Sequence, residues 1–286
     1  MLTIFKAIVL GLVQSITEWL PISSSGHLVL FQKLFRLEEQ VAYDLLLHIA
    51  TLLVVIVFFR KDIGNIIQSL WRFFPEYRTH KQKVPSTSLA KVFIADIHRK
   101  MALFIIIGSI PIGILGLLLR DFINSMFENL LMVAIAFFLT GVILWMSQFR
   151  LHKFSSKNTK DMNQAGLKDA LFIGIFQALA VFPGVSRSGS TIAGGIITGL
   201  DRNLAARFSF LLFIPAILGA TLLESNKLIF AREELAAVII GFIVTMIASY
   251  FMIKTLLTLV KKRRFHYFSY YCWFIGTISM IIYFIY

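Results

Sequence analysis

The sequence predicts an all-α integral membrane protein built as an inverted-topology repeat, each half one re-entrant helical hairpin plus three transmembrane helices. Three observations predict it: long apolar runs, a polar segment that occurs twice, and basic residues gathered on alternate connections. With 58% hydrophobic residues and a mean hydropathy of +0.80 over 286 residues, the chain is too apolar for a soluble domain. Crossing a hydrocarbon core takes about 20 helical residues. Runs 101–119, 130–149, 235–260 and 267–286 meet that length, and 41–59 and 208–223, slightly shorter or carrying a charge, still read as spans. Lipid leaves unpaired backbone groups no partner, so such runs are helical. Their continuity excludes a β-barrel, whose strands alternate.

The first element is a hairpin over 1–36. Lys6 and the apolar residues after it imitate a signal peptide, but Gln14 and Glu18 interrupt the stretch and no small-x-small cleavage site follows. Within it stands Gly11-x-x-Gln14…Ser23-Ser24-Ser25-Gly26-His27, and 163 residues later stands Gly174-x-x-Gln177…Ser186-Arg187-Ser188-Gly189. Pro21 and Pro183 interrupt the two copies, one position out of register. A duplicated, helix-breaking, ionisable segment inside a membrane protein marks a functional site.

Charge then sets the topology. Most of the 28 Lys/Arg lie in 60–100, 150–169, 201–207 and 254–266, whereas Glu38-Glu39, Asp121, Glu128, Glu224, Glu233 and Glu234 mark the opposing connections. That is the positive-inside pattern, and it accounts for the net charge of +13 without a nucleic-acid partner; attraction to anionic lipid heads follows. Lys261-Lys262-Arg263-Arg264 reads as a topology anchor. The connection 75–100 reads as mostly irregular, with an amphipathic piece at 63–74.

For 150–169 and 201–207 to share a side, residues 170–200 cannot cross completely. The arm Ala170–Phe182 reaches only about 20 Å as a helix, stops at Pro183-Gly184, and Ile192–Leu200 returns. Three spans per half is an odd number, so the second copy enters upside down and the two polar tips meet near the midplane. The whole is a single polytopic membrane domain, 1–286, with repeat one about 1–149 and repeat two about 165–286. The single Cys272 rules out an intramolecular disulfide and a cysteine metal cluster; it reads as a small core or lipid-facing residue.

The two copies differ where chemistry would need them to. Gln14 and Glu18 are four apart and share a helix face; Pro21 ends that helix, and Ser23, Ser24 and Ser25 lead into the next. Hydroxyls and free N–H groups at a helix start hold anions. His27 can transfer a proton or attack phosphorus; Glu18 can orient it, accept a proton or bind a divalent cation. In copy two, Arg187 is a planar fork suited to phosphate oxygens, with hydroxyls at Ser186, Ser188, Ser190 and Thr191. Ser/Gly-rich stretches also serve close helix packing, and a Glu–Arg pair can act as a lock. Duplication together with His27 and Arg187 favours a site. Asp44 and His48 share another helix face, as a polar helix contact or as support for that site.

At Gly11-Leu-Val-Gln14-Ser-Ile-Thr-Glu18-Trp-Leu-Pro21-Ile-Ser23-Ser-Ser-Gly26-His27 and Phe182-Pro-Gly-Val-Ser186-Arg187-Ser-Gly-Ser-Thr191 the chain resembles the undecaprenyl-diphosphate phosphatase family of the bacitracin-resistance type. Asp44-x-x-x-His48, Phe59-Arg-Lys-Asp62 and Phe208-Ser-Phe-Leu-Leu-Phe-Ile-Pro215-Ala add to the likeness, which runs through almost the whole chain. The resemblance implies a multi-pass enzyme of the bacterial cytoplasmic (inner) membrane, its site facing the outer side. It would hydrolyse a C55 polyprenyl diphosphate, recycling the lipid carrier of peptidoglycan synthesis and conferring bacitracin resistance.

It implies Glu18, Ser24, His27 and Arg187 as catalytic residues, with Gln14, Ser23, Ser25, Ser186, Ser188 and Thr191 binding substrate. It also implies a divalent cation, Mg2+ or Ca2+, held by Glu18. The neutral Gln14 stands where many members have Glu, which puts a two-carboxylate metal site in doubt. The mechanism expected is attack by Ser24, with His27 taking its proton and Glu18 orienting the imidazole; attack by His27 or by cation-bound water stays open. The competing class is a carrier of anions or phospho-lipids, or a flippase combining both activities. Lipid is the expected partner; a homodimer is left open.

Overall fold

A computed structural model describes residues 1–37, 40–83, 88–153, 159–261 and 265–285. Glu38-Glu39 and Lys262-Arg263-Arg264 lie outside the described residues. The first hairpin is α1 (Ile4–Trp19) and α2 (Ser24–Leu34). Thr3 caps α1 by accepting from the Lys6 amide, and the helix stops short of Pro21, which cannot continue the hydrogen-bond ladder. Next come α3 (Val41–Phe58), α4 (Arg60–Lys83), α5 (Leu89–Ala95), α6 (Ile97–Leu118), α7 (Arg120–Glu128) and α8 (Leu130–Lys153). The second hairpin is α9 (Leu167–Ala178), a 3₁₀ turn over Leu179–Val181, and α10 (Arg187–Thr198). The chain ends in α11 (Arg202–Leu223), α12 (Leu235–Lys261) and α13 (Phe268–Ile285). Six helical stretches are long and apolar enough to cross a membrane, within α3, α6, α8, α11, around α12 and around α13. They coincide with the six runs expected.

The duplicated glycines are packing devices. α1 lies along α12, and α9 lies along α6. A Cβ on Gly11 would fall 2.9 Å from the Gly241 carbonyl oxygen of α12. One on Gly174 would fall 2.7 Å from the Gly108 carbonyl oxygen of α6. Each crossing therefore sets glycine on glycine, the close backbone approach that small residues permit between apolar helices.

The turns interlock in the same reciprocal way. Gly26 abuts Gly184, with a Cβ on Gly26 reaching 2.9 Å from the Gly184 Cα, and Gly189 abuts Pro21 at 3.2 Å. Gly184 itself has φ +101°, a conformation that favours glycine. Thr140 of α8 stitches the second turn, donating to the Gly184 carbonyl at 2.9 Å and accepting from the Ser186 amide at 3.0 Å. Cys272, fully buried, directs its thiol to the Pro21 carbonyl.

The stretch 159–166 meets the end of α10 directly. The Lys160 amide donates to the Gly199 carbonyl, and the Asp201 amide donates to the Lys160 carbonyl. Both flanks of the second hairpin therefore lie side by side.

The expectation for 75–100 is corrected. α4 runs from Arg60 to Lys83 through Pro75, well beyond the amphipathic piece expected at 63–74, and α5 and the start of α6 fill much of the remainder. Tertiary contacts explain this. Arg99, 1% exposed, pairs with Glu76 at 2.7 Å, donates to the Val92 carbonyl, and lies over the Phe73 ring. Asp96 caps α6 through the His98 and Arg99 amides and accepts from the Ser69 hydroxyl at 2.7 Å.

Two predictions follow from this packing. Gly174→Ala should destabilise by about 1–3 kcal/mol through overpacking, while Gly64→Ala, with open space at its Cβ, should not; thermal unfolding in detergent distinguishes them. Burial pushes the Asp96 carboxyl up, but the Ser69 hydroxyl and the Arg99 and His98 amides outweigh it, leaving it below the ordinary carboxylate range. Its stabilising contribution is present above the unfolded-state pKa and is lost as pH falls through the lowered value. Amide exchange over 89–100, corrected for intrinsic rate, should quicken only in that acid window, and Asp96→Asn should quicken it at neutral pH.

Candidate active site

Where the hairpin turns interlock, one carboxylate organises four polar side chains. Glu18, on the last turn of α1, is 5% exposed. Its Oε1 accepts from Arg187 Nη2 at 2.7 Å. Its Oε2 accepts from the Ser24 hydroxyl at 2.6 Å and from Gln14 Nε2 at 3.2 Å, and lies 3.5 Å from His48 Nε2. The Glu18 backbone carbonyl accepts from the Ser188 hydroxyl at 3.1 Å. Arg187 lies over the Phe213 ring, its Cζ 4.0 Å from the centroid, and donates to the Ser209 carbonyl. A planar guanidinium stacks well on an aromatic face.

Ser24 is presented by a strained turn. Ser23 has φ 68°, which costs a non-glycine residue on the order of 1–3 kcal/mol. In return its hydroxyl caps the Gly26 amide at 3.3 Å and Ser24 opens α2. Ser186 caps the Gly189 amide in the same way at 3.0 Å, so Arg187 opens α10. Both N-termini carry partial positive charge and unpaired N–H groups, which favour an anion. Ser25 reaches across to the Gly184 amide.

Glu18, Ser24, Ser25, Ser186, Arg187 and Ser188 all line one cavity of about 390 Å³, with Asp44 and His48 of α3 on its wall. The remaining expected residues sit behind it. Gln14 is fully buried beneath Glu18 and its Oε1 meets no donor among the described residues. Thr191 donates to the Arg187 carbonyl and shares a hydrogen bond with Ser209 at 2.6 Å. His27 is the main departure. Its Nδ1 bonds to the Ser23 carbonyl at 2.7 Å and its Nε2 to the Tyr271 hydroxyl at 2.9 Å, with the ring stacked on Tyr271. The structure brings His27 to the turn and not to the Ser24 hydroxyl, and the imidazole facing Glu18 is that of His48.

Phe213, Ser209 and Tyr271 were not singled out from the sequence. Phe213 and Ser209 lie in the string 208–216 that supported the resemblance, whereas nothing local marks Tyr271.

A divalent cation in such a cavity commonly takes one or two carboxylates plus the oxygens of a phosphate ligand. Glu18 and Asp44 are the carboxylates lining the tip end of the cavity, and among the described residues no group of three or more His, Cys, Asp or Glu is placed to hold a metal. The donor set therefore fits a cation that brings its remaining oxygens on a phosphorylated ligand, and does not fit an all-protein site.

A buried serine on a carboxylate, a guanidinium on the same carboxylate and two helix N-termini form a set of groups suited to phosphate, in a multi-pass membrane protein. The family model described as bacitracin resistance protein BacA matches residues 7–278, and the chain belongs to that family. It is 42% identical over 286 residues to the undecaprenyl-diphosphatase of Methanosphaera stadtmanae, covering 99% of each chain. It is 39% identical to that of Methanobrevibacter smithii, covering 96% of each. It is 37% identical to that of Carboxydothermus hydrogenoformans, covering 97% of each.

Arg187→Met alone leaves Glu18 buried without its cation and should cost about 3–5 kcal/mol. Adding Glu18→Gln should restore part of the loss, read by thermal unfolding of the single and double variants.

Proposed function

We propose that this chain hydrolyses undecaprenyl diphosphate to undecaprenyl phosphate and inorganic phosphate. The observation that carries the reading is the Ser24 hydroxyl donating at 2.6 Å to Glu18, itself joined to Arg187 at 2.7 Å. The Ser24 oxygen attacks the terminal phosphorus while Glu18 accepts its proton. The bond from that phosphorus to the bridging oxygen breaks, and undecaprenyl phosphate leaves. Arg187, the α2 and α10 N-termini and the Ser186 and Ser188 hydroxyls stabilise charge on the equatorial oxygens. The proton taken by Glu18 passes to the departing undecaprenyl phosphate; water then attacks the phosphoserine, Glu18 accepts its proton and returns it to the Ser24 oxygen, and inorganic phosphate is released. His27 is a positioning residue here, pinning the strained Ser23 carbonyl. A magnesium or calcium ion carried by the diphosphate, held by Glu18 with Asp44 alongside, would neutralise charge on the phosphate oxygens. A carrier would bind an anion without needing a serine held on a carboxylate.

The architecture belongs to the same reading: an inverted-topology repeat whose two re-entrant hairpins meet near the bilayer midplane. The reciprocal contacts support it, α1 on α12 against α9 on α6, and Gly26 on Gly184 against Gly189 on Pro21. The positive-inside pattern supports a cavity rim, with Arg120 and Glu224, that opens to the outer face of the cytoplasmic membrane.

The test is phosphate release from C55 diphosphate by the detergent-purified protein in magnesium, calcium and EDTA. Ser24→Ala and Glu18→Gln should each lower turnover by about 10²–10⁴. Rapid quench with mass spectrometry should find phosphate on Ser24. Wild-type turnover in Ser24→Ala, or a phosphoryl group on His27, would overturn the serine mechanism.

A further inference from the structure

The cavity does not end at the charged turns. From Arg187 and Ser24 it extends between α6 and α11 to a rim at the Arg120–Glu224 ion pair, 2.7 Å. Its far wall includes Gly113 and Gly116 of α6 and Gly219 of α11, with Ala216 and Ala220 beside them. These glycines behave differently from the packing glycines. Gly11, Gly174 and Gly241 each press on backbone, and Gly108 meets Leu212 at 3.0 Å, but a Cβ on Gly113 or Gly219 would meet nothing within 4 Å. On Gly116 the nearest atom would be Val181 Cγ1 at 3.9 Å. A helical glycine weakens its helix relative to alanine, and here no close contact offsets that. What the three positions share is open space at the Cβ and a place in the cavity lining.

Each helix also carries a proline just before its glycines, Pro111 and Pro215, which deletes a backbone hydrogen bond and makes bending easy. Past the wall, α6 and α11 present Leu118 and Leu222, each 76% exposed, to the surroundings.

We propose that the wall made by Gly113, Gly116 and Gly219 is the seat of the head-proximal isoprene units of a polyprenyl diphosphate, and that these three positions set the width of prenyl chain admitted. The inference rests on the hydrolase reading above and adds the binding site of the tail. A volume of about 390 Å³ holds a diphosphate head and the start of a chain. The remaining units pass between α6 and α11 into lipid. Unsaturated, methyl-branched units are wide and stiff, and they need a trough free of side chains. The charged end of the cavity holds the diphosphate, and the apolar end faces the membrane from which the tail comes, which argues for this occupant.

The experiment uses the full chain in detergent, with Gly113→Leu and Gly219→Leu, and with Gly64→Leu, whose Cβ also meets open space but lies outside the cavity lining, as control. With C55 diphosphate, Gly113→Leu and Gly219→Leu should each raise KM by about tenfold or more, the scale of a filled apolar pocket, with kcat within about twofold, while Gly64→Leu leaves KM near wild type. Inhibition by inorganic pyrophosphate, a head without a tail, should be unchanged. In a Ser24→Ala background, native mass spectrometry should show C55 diphosphate retained, and retention lost when either cavity leucine is added at unchanged melting temperature. Unchanged KM and retention in both cavity-leucine variants would overturn the proposal. So would equal weakening of pyrophosphate, or a phospholipid held in the trough that C55 diphosphate does not displace. If the wild type releases no phosphate yet retention behaves as stated, the hydrolysis reading fails and the tail site stands.

Discussion

A carboxylate and a guanidinium from opposite halves of the chain meet inside an apolar bundle, and the rest of the structure is arranged around holding them there. Glu18 and Arg187 are 5% and 11% exposed and 2.7 Å apart. An uncompensated charge at such a place costs several kcal/mol or more, so neither hairpin is stable in its observed position without the other. That coupling makes the turns interlock. It explains why Gly26 and Gly189 cannot carry side chains, why Thr140 reaches from α8 to stitch the second turn, and why Ser188 bonds the backbone of the first. The site and the central contact of the fold are the same object.

What is duplicated and what is not divide along physical lines. The recurring residues are those a broken helix needs at a crowded crossing: a glycine where helices touch, a proline to stop, and a serine cap three residues before a second glycine. The residues that differ include the charged pair, Glu18 in the first copy and Arg187 in the second. The same scaffold therefore delivers a negative group from one side and a positive group from the other. A symmetric copy would have brought two like charges together.

The spans were legible because lipid forces apolar helices of fixed length, so hydropathy alone locates α3, α6, α8, α11, α12 and α13. The turns were legible because polar residues are costly there and need a reason. The connection after α4 was misread for the opposite reason. In sequence Arg99, Glu76 and Asp96 look like solvated loop charges, and only the fold reveals Arg99 as a buried clamp between helices. The direction of His27 was equally hidden. At the start of a helix its ring can turn forward to the site or back to the carbonyl four residues earlier, and the choice is made by Tyr271, 244 residues away in sequence. Phe213 beneath Arg187 has no local signature either, since one phenylalanine among 28 reads as lipid-facing bulk.

Gln14 gains a meaning from this geometry. Its amide donates to the Glu18 oxygen that also receives Ser24, at 3.2 Å. A glutamate there would set two carboxylates one helical turn apart, fully enclosed, against a single guanidinium, and like charges in that setting cannot both stay ionised without a further cation. With glutamine the buried set is one carboxylate and one guanidinium, already balanced before any ligand arrives. In the proposed hydrolysis, the charge that an incoming diphosphate adds would fall to Arg187, to the two helix N-termini and to any cation that accompanies it.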